Sequence, residues 1–424
     1  MHLTPEDKEL GRRNFLKALA GTPALAALGG ALAVRGPIKG GPMRVGAIAI
    51  GSHGRGHMHR PDLAYCNLVA VADINPDSLR RIDEELAKRK RPPVKHYSDW
   101  REMLQKEDLE AIVTAPPLGA HAEITVGCLE AGKHVFCEKM MAWDDAGCDA
   151  MVEAARKSGK VVEIGYQRYY NRMYQAAYEG IVKAGKLGDL YTARIVWNRN
   201  KNWRREAGPA PQGLDPKAWG YEDYDHLINW RLYKKHSQGL TAELGSHMVN
   251  VTNWFFGAQA KSVVASGGIF RFKDREVPDH IYANFEYPDG RTAVFMSTES
   301  DPFEGNYEAF FGTKGTLIFE SEKNAYFFDH SGDGKAAPTE IEVGPKTGPV
   351  LETTESRPPD AVGRQATTAG TMATGDPYKT EVERWCAAIR TGRPVECGPE
   401  RAMHSAKACI RANQALDQGK RLDV

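Results

Sequence analysis

The sequence predicts an α/β protein of two layers of architecture: a parallel sheet covered by helices, followed by a larger, mostly antiparallel sheet. Two observations carry this. Between Met43 and Gly165, short apolar runs alternate with helical stretches, the rhythm of strand–helix–strand units. Beyond Gly165 the runs lengthen and alternate apolar with polar residues, as strands do when one face is buried and the other exposed. Length agrees, since roughly 390 residues behind a leader suggest two domains.

The elements follow in order. Arg12-Arg13-Asn14-Phe15-Leu16-Lys17 precedes an apolar run, Ala18 to Val34, that is rich in Ala and Gly and broken by Pro23. At roughly 17 residues the run is short for a ~30 Å hydrocarbon core. It ends in the small-residue pattern Ala31-Leu32-Ala33. This reads as a twin-arginine export signal, with residues 1–42 as signal and linker. Met43 to Ile50 is a buried strand, followed by the Gly-rich turn Gly51-Ser52-His53-Gly54-Arg55-Gly56. A strand ending at Asp73 follows, and then a helix over 76–89, with Pro76 as a first-turn residue behind Asn75. Further strands are expected over 111–114, 134–137 and 161–165, with helices near 100–106, 121–131 and 142–158. These complete a first domain, 43–165.

The second domain, 166–424, opens with a helix over 169–184. Strands are expected at 191–198, 262–272, 280–287, 291–297, 306–311 and 316–320. A polar, aromatic insertion, Lys201 to Ser237, interrupts them. Asp329 to Gly375, rich in Pro, Gly and Thr, reads as surface loop, and helices over 377–390 and 399–418 close the chain.

Bulk composition excludes some functions. The 56 basic and 55 acidic residues leave a net charge of +1, too little to gather nucleic acid or anionic lipid. No stretch beyond the leader is long and apolar enough to span a membrane. The seven cysteines form no C-x-x-C pair, so a zinc or redox motif is not expected, and no metal site is assigned. They read as small buried hydrophobes. A Cys386–Cys397 or Cys397–Cys409 disulfide is left open.

Four motifs carry chemistry. The turn from Gly51 through His53, Gly54 and Arg55 to Gly56 sits between a buried strand and a helix, where backbone N–H groups can hold a diphosphate. Its second glycine is replaced by His53. Asp73 ends the next strand, where a carboxylate accepts both ribose hydroxyls and favours NAD over NADP. Glu138-Lys139 ends a later strand, at the edge where ligands of parallel sheets bind. Glu243 and His247 stand one helical turn apart, a spacing that lets a carboxylate orient a histidine base. Last, the insertion mixes aromatic faces with polar donors at Trp203, Arg204, Tyr224, Asp225, His226 and Trp230, which suits a carbohydrate.

Together these residues resemble the glucose-fructose oxidoreductase, inositol dehydrogenase and MocA superfamily (Gfo/Idh/MocA). The blocks that carry the resemblance are the Gly-rich turn with Asp73, Thr114-Ala115-Pro116-Pro117 with His121, Gly132 through Lys139, and Gly239 through His247. It implies a Rossmann domain followed by an α/β domain with a large open sheet. It also implies a lysine at Lys139 and a histidine at His247 acting in catalysis, with Glu243 where the family has aspartate. Thr114, Pro116, His121, Glu138, Lys139 and Gln167 join the turn and Asp73 as expected cofactor contacts. Met140 stands where the family has proline.

The expectation is thus an exported, NAD-dependent oxidoreductase of a sugar or glycoside hydroxyl, localised to the periplasm or otherwise outside the cytoplasm. Its cofactor is tightly bound and recycled in place, and a homodimer or tetramer is expected. Two alternatives stand beside it: an NAD-dependent glycoside hydrolase, with Tyr224, Asp225 or His226 as extra acid or base, and a non-catalytic sugar-binding protein.

Overall fold

The computed structural model describes residues 3–20, 40–330, 340–344, 348–352 and 376–424. Its first sheet holds six parallel strands, β1 (Met43–Ile48), β2 (Cys66–Ala72), β3 (Lys95–Tyr97), β4 (Ala111–Thr114), β5 (His134–Glu138) and β6 (Val162–Gly165), in the order β3-β2-β1-β4-β5-β6. Helices α2 (Ser52–His59), α3 (Pro76–Lys88), α4 (Trp100–Lys106), α5 (His121–Glu130) and α6 (Asp145–Ser158) alternate with them. The strand order reverses between β1 and β4, so their C-terminal ends open a crevice, the usual ligand position in such sheets. Pro76 stands in the first turn of α3, as the sequence predicts, and the structure adds a cap from the Asn75 side chain.

After α7 (Arg172–Ala177), the second sheet has eight strands: β7 (Leu190–Asn198), β8 (Ser262–Gly268), β9 (His280–Glu286), β10 (Thr292–Thr298), β11 (Asn306–Gly312), β12 (Gly315–Glu320), β13 (Asn324–Asp329) and β16 (Leu422–Asp423). They run in the order β13-β12-β11-β7-β10-β9-β8-β16. All neighbours are antiparallel except β10 and β7. Within the insertion lies the short α8 (Tyr224–Ile228), and α9 (Ser246–Phe256) follows it. Helices α10 (Pro377–Thr391) and α11 (Pro399–Gln418) end the chain.

Several expectations are corrected. Residues 167–184 form no single helix: a 3-10 turn, α7 and a π turn follow one another, and Asn171 caps the new start at Arg172 by accepting the Met173 N–H. The stretch read as loop holds β14 (Glu340–Gly344) paired with β15 (Gly348–Glu352). Helix α10 returns to the first sheet, where Val382, Trp385 and Cys386 share a core with Val45, Val71 and Phe136. The first domain is therefore closed by residues far beyond 165. All seven cysteines are buried free thiols, so neither disulfide left open by the sequence is formed.

The double arginine lies in α1 (Pro5–Leu19), which packs along edge strand β13 with Phe15 and Leu19 buried. Residues 21–39, most of the apolar run of the expected signal, lie outside the described residues. No described helix is long and apolar enough to cross a membrane.

Candidate active site

The crevice at the sheet edge opens into two adjoining cavities. The first, of about 590 Å³, lies between the domains. From β5 come Glu138 and Lys139; from the end of β7 come Trp197 and Arg199; from the start of α9 comes His247. The Lys139 ammonium donates to the backbone carbonyl of Glu243 at 2.9 Å, which fixes its aim across the domain boundary. The Lys139 backbone N–H donates to the Glu138 carboxylate at 2.9 Å, and Glu138 also meets His57 Nε2 at 2.5 Å. His57 is buried, and its other ring nitrogen lies 3.6 Å from the fully buried Glu381. Burial, with Glu138 nearby, pushes the Glu381 carboxyl well above the usual carboxylate range.

His247 is 7% exposed, edge-on to Tyr166 and tilted against Trp197, with ring centroids 6.1 and 5.9 Å away. Glu243 lies in a π turn, Thr241–Gly245, ahead of α9, rather than in the α-helical turn the spacing predicts. Its carboxylate receives Arg231 Nε at 2.8 Å. Arg199 pairs with buried Glu299 at 3.2 Å and lies over the Trp203 ring. The cavity thus presents a lysine, a histidine and several guanidinium groups to any bound oxygen-rich molecule.

The second cavity, of about 420 Å³, is walled on one side by Gly51, Asp73, Asn75, Ser78 and Arg101. An added Cβ at Gly51 or Gly56 would meet nothing within 4 Å, so the start of α2 faces open space. Gly54 differs: its Cβ would come within 2.5 Å of the Ala49 carbonyl oxygen. It is the glycine that lets helix and strand close together. Asp73 accepts the Asn75 N–H at 2.8 Å, yet burial pushes its carboxyl up to about 6. A free helix start beside an acid at the end of β2 fits a dinucleotide, with the diphosphate on α2 and the ribose on Asp73.

Both domains match models of one family: "Oxidoreductase family, NAD-binding Rossmann fold" over residues 43–166, and "GFO/IDH/MocA C-terminal domain" over 175–318. The chain belongs to the Gfo/Idh/MocA family. A Gfo/Idh/MocA relative, myo-inositol 2-dehydrogenase of Thermotoga maritima, is 26% identical over 230 residues, 54% of this chain and 59% of that protein. The chain thus matches under two thirds of that relative's length. Among solved structures, the WlbA dehydrogenase of Bordetella pertussis, in complex with NADH and UDP-GlcNAcA, has a TM-score of 0.68 at 16% identity. That likeness covers 90% of this chain and 99% of the other. Aldose-aldose oxidoreductase of Caulobacter crescentus, complexed with glycerol, has a TM-score of 0.64 at 20% identity, over 90% and 100%. The two likenesses show the shared fold.

Within this Gfo/Idh/MocA chain, the residues expected from sequence sort into three groups. Pro116, His121, Glu138, Lys139, Gln167, Trp203, Arg204, Trp230, Glu243 and His247 line the first cavity, and Gly51, Asp73 and Pro116 the second. His121 is buried, and its two nitrogens lie 2.8 and 3.1 Å from the Met140 and Pro116 carbonyls, so it ties two loops together. Thr114 is fully buried and lines neither cavity, and Arg55 turns back to the Ile50 carbonyl at 3.1 Å. The side chain of His53 lies outside the described residues.

The third group belongs to the insertion. Tyr224, Asp225 and His226 line neither cavity. Asp225 is held by Arg204 at 2.9 Å, Tyr233 and Asn229, while His226 faces Asp223 and stacks on Tyr233. The Asp225 and His226 side chains thus brace the insertion. Sequence reasoning missed Arg231, His57 and Tyr378, the last arriving on α10 from far along the chain. Alternation of apolar and polar residues carries no signal for such distant arrivals.

Proposed function

We propose that this chain is an exported NAD-dependent oxidoreductase acting on a hydroxyl of a sugar or glycoside, with a cofactor retained and recycled in place. The observation that carries the reading is the convergence of Lys139 and His247 on one cavity adjoining the Asp73 site. The kinship with an inositol dehydrogenase supports a polyhydroxylated substrate.

When bound, NAD supplies the hydride acceptor. This chain's residues do the rest. His247 takes the proton of the substrate hydroxyl, with its ring set against Tyr166 and Trp197. Lys139, aimed by the Glu243 carbonyl, donates to the oxygen as negative charge grows on it. Glu243 and Arg231 neutralise one another beside that pair. Export rests on Arg12 and Arg13 in their sequence context. A second copy of the chain is the proposed partner, supported by Val264, Tyr282 and Val294, which are exposed together on the outer face of the second sheet.

The hydrolytic alternative needs an additional acid or base, and the residues proposed for it line neither cavity. The binding-protein alternative leaves Lys139 and His247 without a task. The test is a sugar and cyclitol panel added to NAD-loaded protein, read by absorbance. Reduced cofactor supports the reading. Hydrolysis of aryl glycosides without net reduction would favour the hydrolase, and ligand binding with neither would favour the binding protein.

A further inference from the structure

The insertion, residues 201–237, lies across the cofactor side of the crevice as much as the sugar side. The second cavity is lined by Asp73 and Asn75 from the first domain and by Trp219, Tyr221, Leu227 and Ile228 from the insertion. Arg205 and Trp230 line both cavities and mark the seam between them. The segment is fastened to the first domain. Trp143 Nε1 donates to the Lys234 carbonyl at 2.8 Å, and the Gly119 N–H to the His236 carbonyl at 3.2 Å. At Gly119 an added Cβ would sit 3.0 Å from the Lys235 oxygen, so the insertion presses directly onto that loop. Buried Tyr221 stacks on His236 with ring centroids 4.4 Å apart, which ties the aromatic wall to the fastened end. At the other end Arg204 bridges Asp225 and Asp274, anchoring the insertion to the second domain.

Arg205 is distinctive. Its backbone is locked to Asn229 in both directions, at 2.7 and 3.0 Å. Its guanidinium has no carboxylate within 4.0 Å among the described residues, unlike its neighbours Arg199, Arg204 and Arg231. The residue is exposed, and partial desolvation together with the like charge of Arg231 pushes its pKa down. A cation held this way, at the seam between the ribose-side and nicotinamide-side cavities, is matched by a diphosphate.

We propose that the insertion is a roof over the NAD site: Trp219 and Tyr221 wall the adenosine half, Arg205 meets the diphosphate, and the cofactor leaves only when the roof lifts. This deepens the retained-cofactor reading and rests on it. It gives that retention a structural cause, because a cofactor enclosed between two domains survives export and many turnovers.

The test uses the full-length protein loaded with NADH. Dissociation is followed by cofactor fluorescence after dilution into excess NAD. Trp219→Ala and Arg205→Gln should each speed release about tenfold to a hundredfold, the loss expected for one aromatic–base stack or one charge-assisted contact. Glu206→Gln, an exposed position of the same insertion that lines neither cavity, should stay within about twofold of wild type, and a release as fast as that of the roof variants would overturn the assignment. Independently of any variant, amide hydrogen exchange across 216–221 should slow when NADH is added. Unchanged release in both variants overturns the proposal. So does absence of that protection, or a raised KM for sugar with release unchanged, which would make the segment a sugar cradle only. Wild-type protein that takes up no NADH overturns the roof and the cofactor reading together; protein that takes it up, with release indifferent to the roof, overturns the roof alone.

Discussion

Asp73 should make cofactor affinity depend on pH in a narrow window. Its carboxyl is pushed up to about 6 by burial, against the lowering effect of the Asn75 N–H. The ionised form accepts two ribose hydroxyls; the protonated form gives up one of these positions to its own proton. Each charge-assisted hydrogen bond is worth about 1.5–3 kcal/mol. Asp73→Ala should therefore weaken NAD by roughly two to four orders of magnitude. The pH effect follows from the same group. Above pH 6 the carboxylate is present, and binding is lost as pH falls through 6. At pH 5 about one tenth remains ionised, so the apparent Kd should rise about tenfold from pH 7 to pH 5. Stability of the cofactor-free protein runs the other way. A folded-state pKa above the ordinary value of 3.8 means that the buried charge costs stability, a cost relieved as pH falls through about 6. Calorimetric titrations at pH 5, 6 and 7, with thermal melts alongside, read both trends. A wild-type Kd that is flat over this range, or an Asp73→Ala protein that binds NAD as tightly as wild type, would refute the reasoning.

Further expectations follow from the same geometry. His247→Ala should lower turnover by about 10²–10⁴-fold, measured in single turnover, while titrated NAD binding stays as in wild type. Glu243→Gln keeps the carbonyl that holds Lys139 but removes the charge opposite Arg231, so it should move the pH–rate profile without unfolding the protein. A pH profile superimposable on wild type would remove Glu243 from the mechanism. Gly54→Ala places a Cβ 2.5 Å from a carbonyl oxygen and should cost roughly 1–3 kcal/mol in denaturant melts. Replacing Arg12 and Arg13 with Lys should leave the protein in the cytoplasm with its leader attached, as fractionation and mass spectrometry would show.

Much of this was legible because local chemistry and global position coincide in the first domain. The strand–turn–helix at Gly51 and the acid ending β2 sit within a few residues of the atoms they serve. Strand β4 is buried on both faces and reads as a continuous apolar run, whereas β9 and β10 of the second sheet alternate. What the sequence hid is long-range. Helix α10 looks like any amphipathic helix, and nothing in it says that its Trp385 completes the first domain's core. Asp225 and His226 carry the chemistry of an active site, but ion pairs with Arg204 and Asp223 employ them in bracing. Glu243 was legible as a site residue. That its carbonyl holds Lys139 and its carboxylate holds Arg231 depends on a π turn, which spacing alone does not distinguish from an α turn. Short edge strands such as β3 and β16 offer too few residues for alternation to register.

The central claim is hydride transfer to NAD from the carbon that bears a sugar hydroxyl, within one protein that keeps its cofactor. The direct measurement is absorbance at about 340 nm of purified, NAD-bearing protein after addition of a sugar or cyclitol, with no free cofactor present. The account predicts a band approaching one reduced nicotinamide per chain, which fades when a carbonyl acceptor is added and is absent in His247→Ala. Bound NAD and bound sugar with no band in the wild-type protein would contradict it.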